Sequence, residues 1–172
     1  MDSMPNNLVA ENFLAYASKR LLLSQEQIGS CLDMLTEEQM WHRAGDYENS
    51  IANLLLHLEG NIRQWILHGI DNQPDTRERD AEFALEASGT AAEARVGFNA
   101  TLDEAARIVA ALDPERLLTV IDPQPNGTWR HPTILDAIFK VVGHLEMHTG
   151  QIIVLTKQRI AGDLDLSMPR KR

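Results

Sequence analysis

The chain predicts an all-α protein, a four-helix bundle with a crossover connection and a small irregular hairpin before the last long helix. Three observations carry that expectation: four long segments with apolar residues at helical spacing, capping signals where those segments begin, and turn residues where they stop. At 172 residues, with 44% hydrophobic and 24% charged side chains, the chain suits one domain spanning 1–172. A loose tail is expected from about residue 163.

The first segment repeats Leu14, Ala17, Leu21, Ile28, Cys31 and Leu35 on one face. Thr36-Glu37-Glu38-Gln39 then reads as a capping box for a short helix toward Trp41. The second starts after Asn49-Ser50 and carries Ile51, Leu54, Leu55, Leu58, Ile62, Trp65 and Ile66. Gly69 and Asp71-Asn72-Gln73-Pro74 end it. A polar crossover from Asp75 to Ser88 follows. The third segment opens at the box Thr90 to Glu93, runs through Ala94, Phe98, Leu102, Ala105, Val109 and Leu112, and stops at Asp113-Pro114. Leu117 to Ile121 has strand character, and with Thr128-Trp129-Arg130 predicts the hairpin. Thr133, with Asp136 three residues on, caps the last helix. That helix carries Ile134, Ile138, Val141, Leu145, Ile152 and Leu155 to about Gly162.

Composition excludes several functions. A net charge of -9, from 25 acidic and 16 basic residues, disfavours phosphate-driven binding to nucleic acid. No stretch approaches the roughly 18 uninterrupted apolar residues of a membrane span. The start lacks the basic and apolar regions of a signal peptide, and the single Cys31 makes no intrachain disulfide. A cytoplasmic protein is expected, with Cys31 as an inert packing residue.

The chemistry lies in the histidines. His144 and His148 are one turn apart and share a broad inward sector with Val141, Gln151, Ile152 and Leu155. His57 lies at the edge of the second helix's apolar face, in a sector with Leu54 and Asn61, beside Leu58 and Trp65. Any one of them alone is most simply a hydrogen-bonded histidine at the core's edge. Together they make a facial three-nitrogen set that leaves a coordination position open. His42, His68 and His131 lie near element ends, where solvated or capping roles are expected. Glu146 follows His144 by two residues, about 200° around the helix, so the zinc-protease pattern is absent. No carboxylate is placed at the site by spacing, although carboxylates of the crossover are free to fold over it.

Asn49 to Asn61, followed by Trp65, resembles the second helix of the DinB-like (YfiT-like) superfamily. His144-Leu145-Glu146-Met147-His148-Thr149-Gly150-Gln151-Ile152 is similar to that superfamily's last-helix motif, and Arg77 to Phe83 resembles the segment after the second helix in one branch. The resemblance, from the first helix to about Arg159, implies a four-helix bundle whose three histidines bind zinc or nickel. By motif position these are His57, His144 and His148. It also implies relatives that are thiol S-transferases, a thiol-dependent isomerase or metal-dependent hydrolases. The leading expectation is a metal-dependent S-transferase acting on a small molecule with a low-molecular-weight thiol. The alternatives are a hydrolase using metal-activated water and a non-catalytic metal-binding or interaction protein. Asn61, Trp65 and Gln151 are expected to line the pocket, no catalytic residue is assigned, and a homodimer is expected.

Overall fold

A computed structural model describes residues 6–84, 89–122 and 131–166. Four long helices form, with a short one between the first two: α1 (Asn6–Leu32), α2 (Glu37–Trp41), α3 (Ile51–Ile62), α4 (Ala91–Ala111) and α5 (Ile134–Ile160). The expected caps of the last four are realised as complete boxes: Thr36 with Gln39, Ser50 with Asn53, Thr90 with Glu93 and Thr133 with Asp136. Each box satisfies two backbone donors that the first helical turn leaves without partners.

α1 and α3 each pack against both α4 and α5, so the order around the bundle is α1, α4, α3, α5. Side-chain partners fix the directions. Ser18 reaches Ala106 while Asp33 pairs with Arg95, so α1 and α4 are antiparallel. Arg20 pairs with Glu146 and Cys31 lies against Thr156, so α1 and α5 are parallel. Arg63 reaches Thr101 while Glu59 abuts Gly97, so α3 and α4 are parallel. The bundle therefore runs up, down, down, up. Because α3 and α4 share a direction, the chain between them must return along the bundle. That return is the expected crossover, and it carries the segment after Asp75 across the face of α3.

The core consists of the predicted stripes: Leu14, Leu21, Ile28, Leu54, Leu58, Trp65, Phe98, Leu102, Ile138, Leu145 and Ile152 are all buried. Burying a side chain of this kind contributes about 1.5–3 kcal/mol, which offsets the ordering entropy of long helices. α3 does not stop at Ile62. It continues as a π-helical turn over Arg63–His68, in which Gly69 N–H reaches back five residues to the Gln64 carbonyl.

The strand character expected at Leu117 to Ile121 is not realised. Pro114–Leu118 is a 3-10 turn, because Asp113 caps the Glu115 N–H and Pro114 presets the first helical φ. What remains of the hairpin is one antiparallel bridge between Val120 and Thr133, with no strand among the described residues. Thr128 to Arg130 lies outside the described residues. Cys31 is buried and free, and burial pushes its thiol pKa up, as an inert packing residue requires. The tail expected to be loose from about 163 still packs on the core at Leu164 and Leu166, and Asp163 pairs with Lys157 at 3.3 Å. No helix among the described residues is long and apolar enough to cross a membrane.

Candidate metal centre

The antiparallel contact of α3 with α5 brings His57, His144 and His148 together. His144 Nε2 stands 3.1 Å from His57 Nε2 and 3.1 Å from His148 Nε2. Ligand nitrogens of all three lie within 4.8 Å of one another, an arrangement that can hold a metal ion. Two imidazole nitrogens on one tetrahedral zinc, bonded at 2.0–2.1 Å, stand about 3.3 Å apart. The two separations of 3.1 Å, from His144 to each of the other rings, fit that requirement. His42, His68 and His131 stay outside. The His42 carbonyl accepts from Arg159, His68 Nδ1 lies 2.7 Å from the Gln73 carbonyl, and His131 is exposed with φ 55°.

The outer faces of the rings decide which nitrogen carries a proton. His57 Nδ1 lies 2.8 Å from Glu82 Oε2. A carboxylate only accepts, so the ring must donate there, and the neutral ring then presents a lone pair at Nε2. His148 Nδ1 lies 2.9 Å from Gln151 Oε1, which has the same consequence. Two lone pairs therefore converge on His144 Nε2. Burial, then the charges of His148, His57, Arg77 and Lys140, depress the His144 pKa to about 4. Burial likewise lowers His148, opposed by its bond to Gln151.

Glu82 and Arg77 are the site residues that spacing did not find. Both come from the crossover, where Arg79–Phe83 forms a 3-10 turn on α3. Asn53 anchors that turn by donating to the Glu82 carbonyl at 2.9 Å, and Arg43 donates to both Asn53 and the Ala84 carbonyl. Arg77 grips the Glu82 carboxylate with a two-pronged bond, Nε to Oε1 at 2.6 Å and Nη2 to Oε2 at 2.8 Å. Burial alone would raise the Glu82 pKa. The bonds from Arg77 and His57 outweigh it and hold the carboxyl below the usual range. Phe83 sets its ring 4.8 Å from that of His57. The signal that marks this approach is Gly60, a glycine inside α3, where any Cβ would collide with the Glu82 carboxylate.

Of the three residues expected to line the pocket, Asn61 is buried one turn along α3 from His57, with no partner for its Oδ1. Trp65 is fully buried, and the Lys140 ammonium sits 3.8 Å from its ring centroid. Gln151 is exposed, holds His148, and helps line a surface groove with Tyr47, Glu48 and Asn49.

Fold and site together define a helical bundle with a three-histidine cluster that can hold a metal ion. A family model described as a protein of unknown function, DUF1572, matches residues 8–172, and the chain belongs to that family. A crystal structure of a conserved protein from Enterococcus faecalis superimposes with a TM-score of 0.50 at 16% identity, covering 93% of this chain and 100% of that one. At that identity the likeness concerns the fold. No curated protein matches the chain.

Proposed function

We propose that this chain binds one divalent metal ion, zinc or nickel, through His57, His144 and His148, and uses it as a thiol S-transferase of the DinB-like (YfiT-like) kind. The observation that carries the metal reading is the convergence of three Nε2 atoms, two of them held as lone pairs by Glu82 and Gln151. The single proton of a neutral His144 ring, placed on Nε2, meets one of these two lone pairs at a time, whereas a divalent ion between the rings meets all three nitrogens. Three protein ligands leave a coordination position open, which is the catalytic arrangement, whereas structural zinc sites are closed by a fourth ligand.

When bound, a divalent ion supplies Lewis acidity that lowers the pKa of a thiol. In the transfer the thiol gives up its proton to solvent water, its sulfur bonds to an electrophilic carbon, and the bond from that carbon to the leaving group breaks, the leaving group departing with its electron pair. The chain's own contribution is orientation. Glu82 accepts from His57 and fixes that ring's tautomer and orientation, and Arg77 keeps the carboxylate ionised and fixed. Hydrolysis of an ester or amide needs a proton shuttle on the substrate side. Glu82 fills that role poorly, since it lies behind His57 and is committed to Arg77. This favours the thiol reading over the hydrolase.

The test incubates zinc- or nickel-loaded protein with a panel of low-molecular-weight thiols and chlorodinitrobenzene, and separately with ester and amide substrates. Thioether formation that is lost in His144→Ala supports the reading. Turnover of esters or amides alone would replace it with a hydrolase. Metal binding without either activity would leave a metal-binding protein.

A further inference from the structure

Two of the three histidines have an outer hydrogen-bond partner, Glu82 for His57 and Gln151 for His148. The third does not: His144 Nδ1 is buried without a partner. Among the described residues, one other buried side-chain atom is in the same condition, Asn61 Oδ1. The two are complementary. With Nε2 offering its lone pair inward, His144 carries its proton on Nδ1 and needs an acceptor. An amide oxygen is an acceptor.

Their places in the fold agree. Asn61 lies one turn after His57 and one turn before Trp65 on the same face of α3. His57 meets His144 across the groove and Trp65 meets Lys140, one turn before His144. Asn61 is therefore framed by two α3–α5 contacts and faces the turn of α5 that carries His144. At 7% exposure its side chain is largely withdrawn from solvent. An unpaired buried amide oxygen and an unpaired buried imidazole nitrogen each carry an uncompensated desolvation cost. Their placement in one groove points to a shared purpose. We propose that Asn61 is the positioning residue for His144, accepting its Nδ1–H through one bridging water, so that all three Nε2 lone pairs face the metal. Glu82, Gln151 and Asn61 then form a complete outer ring, one acceptor per imidazole, and ligand histidines of metal sites characteristically donate to such partners.

This inference rests on the reading of the three histidines as one metal centre, and the experiment separates the two. Nickel(II) affinity is measured by chelator competition for the wild type, Asn61→Leu and Asn61→Asp. The expected result is a loss of about 10–100-fold for Asn61→Leu, with Asn61→Asp retaining or exceeding wild-type affinity because a carboxylate still accepts. The metal-free Asn61→Leu protein should be less stable than the wild type, since the acceptor of the His144 Nδ1–H has been removed. A purely structural role predicts that loss of stability with unchanged affinity. The cobalt(II)-loaded wild type supplies a readout that needs no variant to fold. Its proton NMR spectrum should contain three solvent-exchangeable, hyperfine-shifted ring N–H signals, one of which exchanges faster in Asn61→Leu. Equal affinity for all three proteins, or only two such signals in the wild type, overturns the role of Asn61 and leaves the metal centre standing. No binding of nickel by the wild type overturns both.

Discussion

α3 and α4 run side by side in the same direction, yet their buried faces differ. The α4 face is Ala91, Ala94, Phe98, Leu102, Ala105 and Val109, with Thr101 its one buried polar residue. α3 buries a row of three polar residues at successive turns, Asn53, His57 and Asn61, beside its apolar stripe. Asn53 and His57 both bind the crossover. Buried threonines on α5 behave differently again: Thr149 and Thr156 donate to carbonyls four residues back in their own helix, which is a local solution to burial. A polar row whose partners lie on other elements holds long-range geometry in place, at a cost in desolvation that an apolar row would not bear. α4 is a wall, and α3 is where the bundle's stability is exchanged for a site.

The comparison is broken if changes in α4 and α3 have the same consequences. Phe98→Ala removes a fully buried ring from α4 and should destabilise the fold by about 3–5 kcal/mol in urea melts. Metal stoichiometry of the folded fraction should stay at one per chain. Glu82→Ala should be about as severe, roughly 3–5 kcal/mol, because it strands the Arg77 guanidinium, whose side chain is only 6% exposed. Unlike Phe98→Ala, it should also weaken zinc binding by about 10–100-fold in chelator competition.

A smaller effect should appear with pH. His144 binds its proton near 6.5 when unfolded and at about 4 when folded. Between those values the unfolded chain holds more protons, so stability rises with pH across that window and is lost progressively on acidification from about 6.5 to 4. The depressed carboxyl of Glu82 adds a second loss below its ordinary range, in the same direction. Denaturant melts of metal-free protein between pH 7 and 4 should show this decline, and His144→Leu should flatten its upper part. The smallest effect belongs to the wall. Thr90→Ala removes the α4 cap, with an expected loss of about 1 kcal/mol and no change in metal affinity.

What could be read from the sequence follows from the range of the interactions. Every capping box and nearly every core position of the four stripes is a local signal, written in spacings of three and four residues. His144 and His148 share that advantage, and His57 reveals itself at the edge of a stripe. Glu82 does not. It ends the run Arg77-Glu78-Arg79-Asp80-Ala81-Glu82, in which nothing local separates it from Glu78, and Glu78 is exposed. Only the parallel arrangement of α3 and α4, which forces the crossover over α3, selects Glu82 for burial. The strand character of Leu117 to Ile121 misled for the converse reason. There Asp113-Pro114 starts a 3-10 turn whose local hydrogen bonds outweigh β propensity.

The central claim is that His57, His144 and His148 share one metal ion. Zinc or nickel at about 100 times its dissociation constant should stabilise the native state by about 2.7 kcal/mol. For a domain of this size that is a rise in Tm of roughly 5–10 °C. His57→Ala, His144→Ala and His148→Ala should each abolish most of the rise, and His42→Ala, His68→Ala and His131→Ala should preserve it. A triple variant lacking His57, His144 and His148 that still gains the full rise would contradict the account.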